Sequence, residues 1–332
     1  MLDKGRREFI TALGAVTAAS CVASPRVVGA QQSQVPVVGI LSATSAKTAW
    51  YLNGFHEGLK KAGYVEGQNI AIELRFAEGR YDRLPAMAAE LVRRAVAVVV
   101  AGGIPPLVAA KEATSTIPIV FTSAADPVQL GIVASLNRPG GNITGVSHIG
   151  VALAPKRLQL LLELVPTASV IGVLENPSNP RIDLEIVGLE AATQSVGKRL
   201  LIVKASSEQD FDGAFATLVQ AGAGALLVAG EPLFILRREQ LVALAARHRI
   251  PAIYDYRDFT TSGGLLSYGI DLTEMYSLVA GQVARILKGA KPADLPILQP
   301  TKFELVINVK TAKALGLDVP VHLQQLADEV IE

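Results

Sequence analysis

The sequence predicts an α/β protein built as two doubly wound parallel-sheet lobes with a hinge between them. Three observations carry this expectation. Short apolar runs rich in Val and Ile recur without polar alternation, as in strands buried on both faces of a parallel sheet. Segments of helical period separate them, the order that builds right-handed crossovers. The pattern also returns on itself. Val37-Val38-Gly39-Ile40-Leu41 resembles Val170-Ile171-Gly172-Val173-Leu174, and Ile117-Pro118-Ile119-Val120-Phe121 resembles Ile250-Pro251-Ala252-Ile253-Tyr254. Both pairs are 133 residues apart (37 to 170, 117 to 250).

Composition agrees. The 332 residues suffice for two domains at roughly 100–200 residues each. Half are hydrophobic, so a substantial core is available, and 29 glycines allow many tight turns between strand and helix. The net charge of +1 gives no electrostatic case for nucleic acid or an anionic membrane. The single cysteine, Cys21, excludes a disulfide framework, a thiolate metal site and a cysteine nucleophile in the rest of the chain.

Residues 1–30 read as an export address and are set aside from the fold. Lys4, Arg6 and Arg7 form a basic start, Phe9 to Ala23 an apolar run, and Val28-Gly29-Ala30 a small-residue cleavage site. Arg6-Arg7-Glu8-Phe9-Ile10 resembles a twin-arginine signal. The apolar run has ~15 residues where a span takes ~20, which favours cleavage after Ala30 over a membrane anchor. Lipid attachment at Cys21 is the lesser alternative. The mature protein is expected to be a periplasmic monomer without a membrane span.

Taken in order, strands are expected at Val37–Leu41, Ile70–Leu74, Val96–Ala101 and Ile117–Phe121, with helices at Thr48–Ala62, Arg80–Arg94 and Pro105–Ala113. Asp126-Pro127 is expected to open a further helix, as N-cap and first helical residue. After Pro139-Gly140-Gly141-Asn142 the pattern restarts. Strands follow at Ile143–Ser147, Val170–Leu174, Leu200–Lys204, Ala225–Ala229, Ala252–Tyr254 and Leu265–Tyr268. Leu158, Leu161, Leu162 and Val165 make one apolar helix stripe, and Val279, Val283, Ile286 and Leu287 another.

Catalytic signatures fail one by one. His56-Glu57 is followed by Lys60 where a zinc pair needs histidine. The four histidines lack metal-ligand spacing. Gly145-Val146-Ser147-His148-Ile149 lacks the final glycine of a nucleophile elbow. Gly222-Ala223-Gly224 precedes a strand rather than following one, so it is no dinucleotide fingerprint. No enzyme, cofactor or metal is expected.

Ligands of open α/β sheets bind beyond the carboxyl ends of strands, and clefts between domains are preferred pockets. The post-strand loops therefore supply the candidate contacts with a small-molecule ligand. Ser42 and Thr44 offer hydroxyls near a helix start, either for a carboxylate or as ordinary caps. Gly102 and Gly103 let a ligand approach backbone, or make a turn. Ser123 is favoured over Asp126, which is read as a helix cap. Asn176 and Asn179 could donate to a polar ligand or shape a turn. Glu231 could receive an ammonium or face a helix dipole. Tyr254, Asp255 and Tyr256 offer an aromatic face and an acid, Tyr268 is a candidate at the end of the next strand, and Asp271 either pairs with an amine or caps the helix after it.

The sequence resembles the ABC-transporter substrate-binding proteins of the tryptophan/tyrosine-binding type, a group of type I periplasmic binding proteins. Gly54-Phe55 through Gly63-Tyr64, Gly67-Gln68-Asn69-Ile70 and Asp126-Pro127-Val128 carry the likeness. So do Pro139-Gly140-Gly141-Asn142-Ile143-Thr144-Gly145-Val146-Ser147, Gly263 to Gly269, Ile286 to Pro296, Phe303 to Asn308 and Ala312 to Leu317. The resemblance implies a Venus-flytrap with crossings near Gly145, Asp271 and Pro300. Lobe 1 is then 35–145 with 271–299, and lobe 2 is 146–270 with 300–332. It implies capture of a small polar ligand, an amino acid or related carboxylate, and delivery to ABC permease subunits. Two rival expectations are an exported α/β hydrolase-like enzyme using Ser147 and His148, and a ligand-sensing partner of a membrane receptor. The Ser147–His148 pair is disfavoured because neighbours on a strand point to opposite faces.

Overall fold

The computed structural model describes residues 35–179 and 182–332. The export-signal readings at residues 1–30, Cys21 included, lie outside the described residues. No described helix is long and apolar enough to cross a membrane.

Two sheets organise the chain. The first holds β1 (Val37–Ser42), β2 (Ala71–Phe76), β3 (Val98–Gly102), β4 (Ile119–Ser123) and β5 (Ile143–Ser147) in the order β2-β1-β3-β4-β5, all parallel. Its side chains divide by the two-residue period of a strand. Val38, Ile40, Val98, Val100 and Val120 enter one core, while Leu41, Val99, Ala101, Ile119 and Phe121 enter another. Both faces are therefore dry, which is why the sequence showed no polar alternation. α1 (Leu52–Lys61) covers the first face; α2 (Leu84–Arg93) and α3 (Ile104–Ala113) cover the second.

The second sheet repeats this plan. β6 (Val170–Glu175), β7 (Arg199–Lys204), β8 (Ala225–Val228), β9 (Ala252–Tyr254) and β10 (Leu266–Gly269) stand in the order β7-β6-β8-β9-β10. This is the order of the first sheet, with β1 and β6 in equivalent places, as the internal repeat predicts. α4 (Ala154–Leu164) and α5 (Ile182–Ser195) pack together and cover one face. α6 (Phe211–Gln220), α7 (Pro232–Leu236) and α8 (Arg238–Arg247) contribute to the core on the other. The short α9 (Arg257–Thr261) follows β9.

The chain then returns to the first sheet. α10 (Leu272–Leu287) lies along α1 and strands β3, β4 and β5. The segment after it runs beside β5: Leu298 donates its N–H to the Gly145 carbonyl at 3.0 Å and accepts from the Ser147 N–H at 2.9 Å. A final crossing adds β11 (Glu304–Asn308), α11 (Val309–Leu315), α12 (Val321–Leu326) and β12 (Glu329–Ile331) to the second sheet.

Three details differ from the sequence reading. β11 runs antiparallel to β10, so the second sheet is mixed at one edge, and neither β11 nor β12 was expected as a strand. β5 pairs with β4 as far as Ser147, so the expected division at 145/146 falls inside a strand. No helix follows Asp126-Pro127. The Asp126 carboxylate accepts from the Val128 N–H at 2.8 Å and closes a turn. Gly131 then enters the left-handed region at φ 66° and ends the turn.

α1 and α10 approach too closely for side chains between them. A Cβ on Gly54 would fall 1.9 Å from the Thr273 carbonyl oxygen, and one on Gly58 would fall 2.7 Å from Ala280 Cβ. Gly54→Ala should therefore destabilise the protein by about 1–3 kcal/mol or more through overpacking. Gly213→Ala serves as the comparison. Gly213 lies in α6 with open space where its Cβ would be, and alanine there should be neutral or stabilising by up to about 1 kcal/mol. Urea unfolding of both variants checks this.

Candidate functional site

The carboxyl ends of both sheets meet at one cavity. Its volume is about 80 Å³ for the centre of a water-sized sphere, room for several waters or one small solute.

The first sheet and the helices on it supply the floor. Ser42 ends β1, Thr44 lies just beyond it, Gly102 ends β3, Gly103 follows it as the N-cap of α3, and Thr122 lies near the end of β4. Tyr51 immediately precedes α1, while Leu272, Met275 and Tyr276 come from the first turns of α10. The Tyr51 and Tyr276 rings lie 4.4 Å apart between centroids. The Tyr51 hydroxyl bonds Thr44 Oγ1 at 2.8 Å and Ser42 Oγ at 3.2 Å, and these two hydroxyls bond each other at 2.9 Å. Burial pushes both tyrosine phenols above their ordinary range; hydrogen bonds from Ser42 and Thr44 oppose this at Tyr51. Both phenols thus keep their protons at neutral pH, and the floor is a net of neutral hydroxyls.

Two glycines shape this wall for separate reasons. A Cβ on Gly102 would fall 2.8 Å from the Tyr276 hydroxyl. Gly103 has φ 100°, outside the range of ordinary L-residues, and the turn it makes opens α3. Pro105 and Pro106 carry no N–H and the Leu107 N–H donates to the Gly103 carbonyl at 3.1 Å, so in this turn only Ile104 offers an N–H that its own helix does not use.

The second sheet and its loops supply the facing wall: Asn179 beyond β6, Gly230 and Pro232 beyond β8, Ile235 in α7, and Tyr256 beyond β9. His148, just after β5, also lines the cavity.

Of the residues singled out in the sequence, Ser42, Thr44, Gly102, Gly103 and Asn179 line this cavity. Ser123 lies behind it: fully buried, its hydroxyl donates to the Ala125 carbonyl at 2.6 Å and accepts from the Ala125 N–H at 3.2 Å. Asn176 donates to Glu231 Oε1 at 2.9 Å and accepts from the Ser178 N–H at 3.0 Å, holding its own turn. Glu231 also accepts from Asn179 Nδ2 at 2.7 Å and from the Tyr81 hydroxyl. Tyr254 is core, stacked on Phe259 at 4.6 Å. Tyr268 sits against Phe303. Asp271 caps α10, accepting from the Thr273 N–H at 2.7 Å and the Glu274 N–H at 3.4 Å. Ser147 and His148 part company as expected for neighbours: the serine hydroxyl donates to the Ala125 carbonyl at 3.4 Å.

Sequence reasoning named Tyr256 and missed Tyr51, Thr122, His148 and Tyr276 as contacts. Two of the five carried a further signal. Tyr256 is the 133-residue counterpart of Ser123 (123 to 256), at the equivalent strand end. Tyr276 is three residues before Val279 and continues that apolar stripe onto the sheet's carboxyl edge.

Beneath the second wall lies a buried cation. Arg157, 2% exposed, donates to the carbonyls of Tyr268 at 2.9 Å and Gly150 at 2.8 Å. Its guanidinium also sits 2.9 Å from Asp255 and 3.5 Å from Glu185. It thereby fixes the loops that present Tyr256 and His148. Arg157→Ala should cost several kcal/mol, about 3–5 by analogy with broken buried ion pairs, read as a lower urea midpoint. Asp271→Ala should cost about 0.5–2 kcal/mol, as loss of a helix cap does.

Comparison with known proteins agrees with this architecture. Residues 34–331 match the family described as ABC transporter substrate binding protein. A tyrosine-binding protein of Clostridioides difficile (strain R20291) is 30% identical over 266 residues, 80% of this chain and 76% of that one. A conserved domain protein from Vibrio cholerae O1 biovar eltor superposes with a TM-score of 0.84 at 25% identity, covering 90% of this chain and 100% of that one. An ABC domain in complex with L-Trp from Streptococcus pneumonia gives a TM-score of 0.81 at 25% identity, covering 89% of this chain and 99% of that one. With its two α/β lobes in the type I periplasmic-binding, Venus-flytrap arrangement, the chain belongs to the ABC transporter substrate binding protein family, whose members bind solutes and are not enzymes.

Proposed function

We propose that this protein is the extracytoplasmic solute receptor of an ABC importer and that its ligand is an amino acid, an aromatic one in first place. The observation that carries the reading is the cavity itself, walled from both sheets by hydroxyls and tyrosine rings. The relatives named for tyrosine binding and for a complex with L-Trp support the ligand class.

In this reading the ligand carboxylate sits on Ser42, Thr44 and the backbone N–H groups of Gly103 and Ile104 at the start of α3, where a helix N-terminus favours an anion. The ligand side chain packs among Met275, Tyr276 and Tyr256. Its ammonium is met on the second wall at Asn179, with Glu231 behind. One lobe runs from residue 35 to the end of β5 and takes 271–299, and the other takes the residues after β5 to 270 with 300–332. Ligand bridges the two and favours the closed form by its differential affinity. The closed form then docks, as a monomer, on permease subunits. The leader directs the chain to the periplasm by the twin-arginine route.

Isothermal titration with L-tryptophan, L-tyrosine and L-phenylalanine tests the ligand class. At least one should bind, with one site per chain. Thr44→Ala should weaken binding by roughly 10-fold or more, the loss expected of a hydrogen bond to a charged group. Absence of heat and of thermal stabilisation with every amino acid offered would show the class to be wrong.

A further inference from the structure

We propose that Tyr81 and Glu231 form a clasp across the mouth of the cleft, which favours closure without ligand and so sets the open–closed balance. The proposal rests on reading the cleft as one that opens and closes, and not on the identity of the ligand.

Tyr81 stands in a one-turn helix, Tyr81–Arg83, beyond the carboxyl end of β2. Glu231 stands beyond β8 of the other sheet, at the N-cap of α7. The tyrosine hydroxyl donates to Glu231 Oε1 across the cleft. The carboxylate is 2% exposed, and the amides of Asn176 and Asn179 hold its two oxygens at 2.9 Å and 2.7 Å. It is thus a fixed acceptor rather than a mobile surface acid. The same loop touches the same helix a second time: a Cβ on Gly79 would lie 3.4 Å from terminal carbons of both Leu233 and Leu236. Polar and apolar contacts therefore coincide at one seam.

The position of the seam gives it leverage. β2 is the edge strand of its sheet, and β5, from which the chain leaves for the other lobe, is the opposite edge. Four strand spacings separate them, roughly 19 Å at ~4.8 Å each. For any opening angle about the crossing segments, displacement grows with distance from them. A contact at the β2 edge is lost early in opening, so its energy belongs to the closed state alone. Neither Tyr81 nor Glu231 lines the cavity, yet Asn179 does, and it donates to Glu231. A ligand that orders Asn179 therefore also steadies the acceptor of the clasp, which couples binding to closure through a named residue.

The test uses the mature chain, unfolded and refolded to remove carried-over solute, and small-angle X-ray scattering without ligand. Wild type should give a compact profile. Tyr81→Phe, which removes only the hydroxyl, should give a larger radius of gyration, reflecting a closed-to-open ratio lowered roughly ten-fold. Glu231→Gln is the second variant, and Tyr64→Phe, on the same lobe, should match wild type. Wild type already expanded, or Tyr81→Phe superimposing on wild type, overturns the clasp. Failure of every amino acid to bind in the titration above would overturn the ligand class and leave this result standing.

Discussion

The cavity exists because two helices from opposite parts of the chain touch backbone to backbone. Gly54 and Gly58 leave α1 without side chains where α10 crosses it. That proximity lets Tyr276 lie on Tyr51, and Tyr51 in turn gathers the hydroxyls of Ser42 and Thr44. Any residue larger than glycine in this contact would lift α10 off the sheet and spread the hydroxyl net apart. A helix pairing one turn away from the cavity-lining Tyr51 and Tyr276 thus decides the shape of the floor.

The two walls are built on different physics. The first presents neutral hydroxyls, phenols held protonated by burial, and the opening turn of α3. The second keeps its charges behind the surface. Arg157 draws Asp255, Glu185 and two carbonyls together beneath the wall, and Glu231 is held by two asparagine amides. Charge buried in this way holds loops in one geometry, because each group would be costly to leave without its partners. Lobe closure can then proceed as a movement of preformed walls.

Much of the fold was legible because a strand buried on both faces leaves a plain record. Val38, Ile40, Leu41 and Val98 to Val100 are apolar at successive positions because alternate residues feed two different cores. The repeat was legible for the same reason, since β1 and β6 occupy equivalent central places. Glu304–Asn308 and Glu329–Ile331 escaped notice because one begins with an acid and the other is only three residues long. At Asp126-Pro127 the local signal for a helix was sound, but Gly131 ends the turn before a second one forms. In the site, strand ends were found and side-chain directions were not. Tyr254 is the last residue of β9 and turns into the core, while Tyr256, two residues on, is past the strand and reaches the cavity. Alternation predicts direction only while the strand lasts.

α10 completes the first sheet but is encoded after the second. As the chain is synthesised, β1 to β5 emerge with α1 on one face, but the part of that face over β3, β4 and β5 lacks α10 until residue 287 has followed. By then β6 to β10 are already available to fold. β11 and β12, in turn, reach the second sheet only at the end. Each half is therefore completed only by segments encoded after the other half has begun, which sets this chain apart from one whose domains are contiguous and form in order. The part of the first sheet that awaits α10, over β3, β4 and β5, is the apolar surface that needs shielding in the meantime.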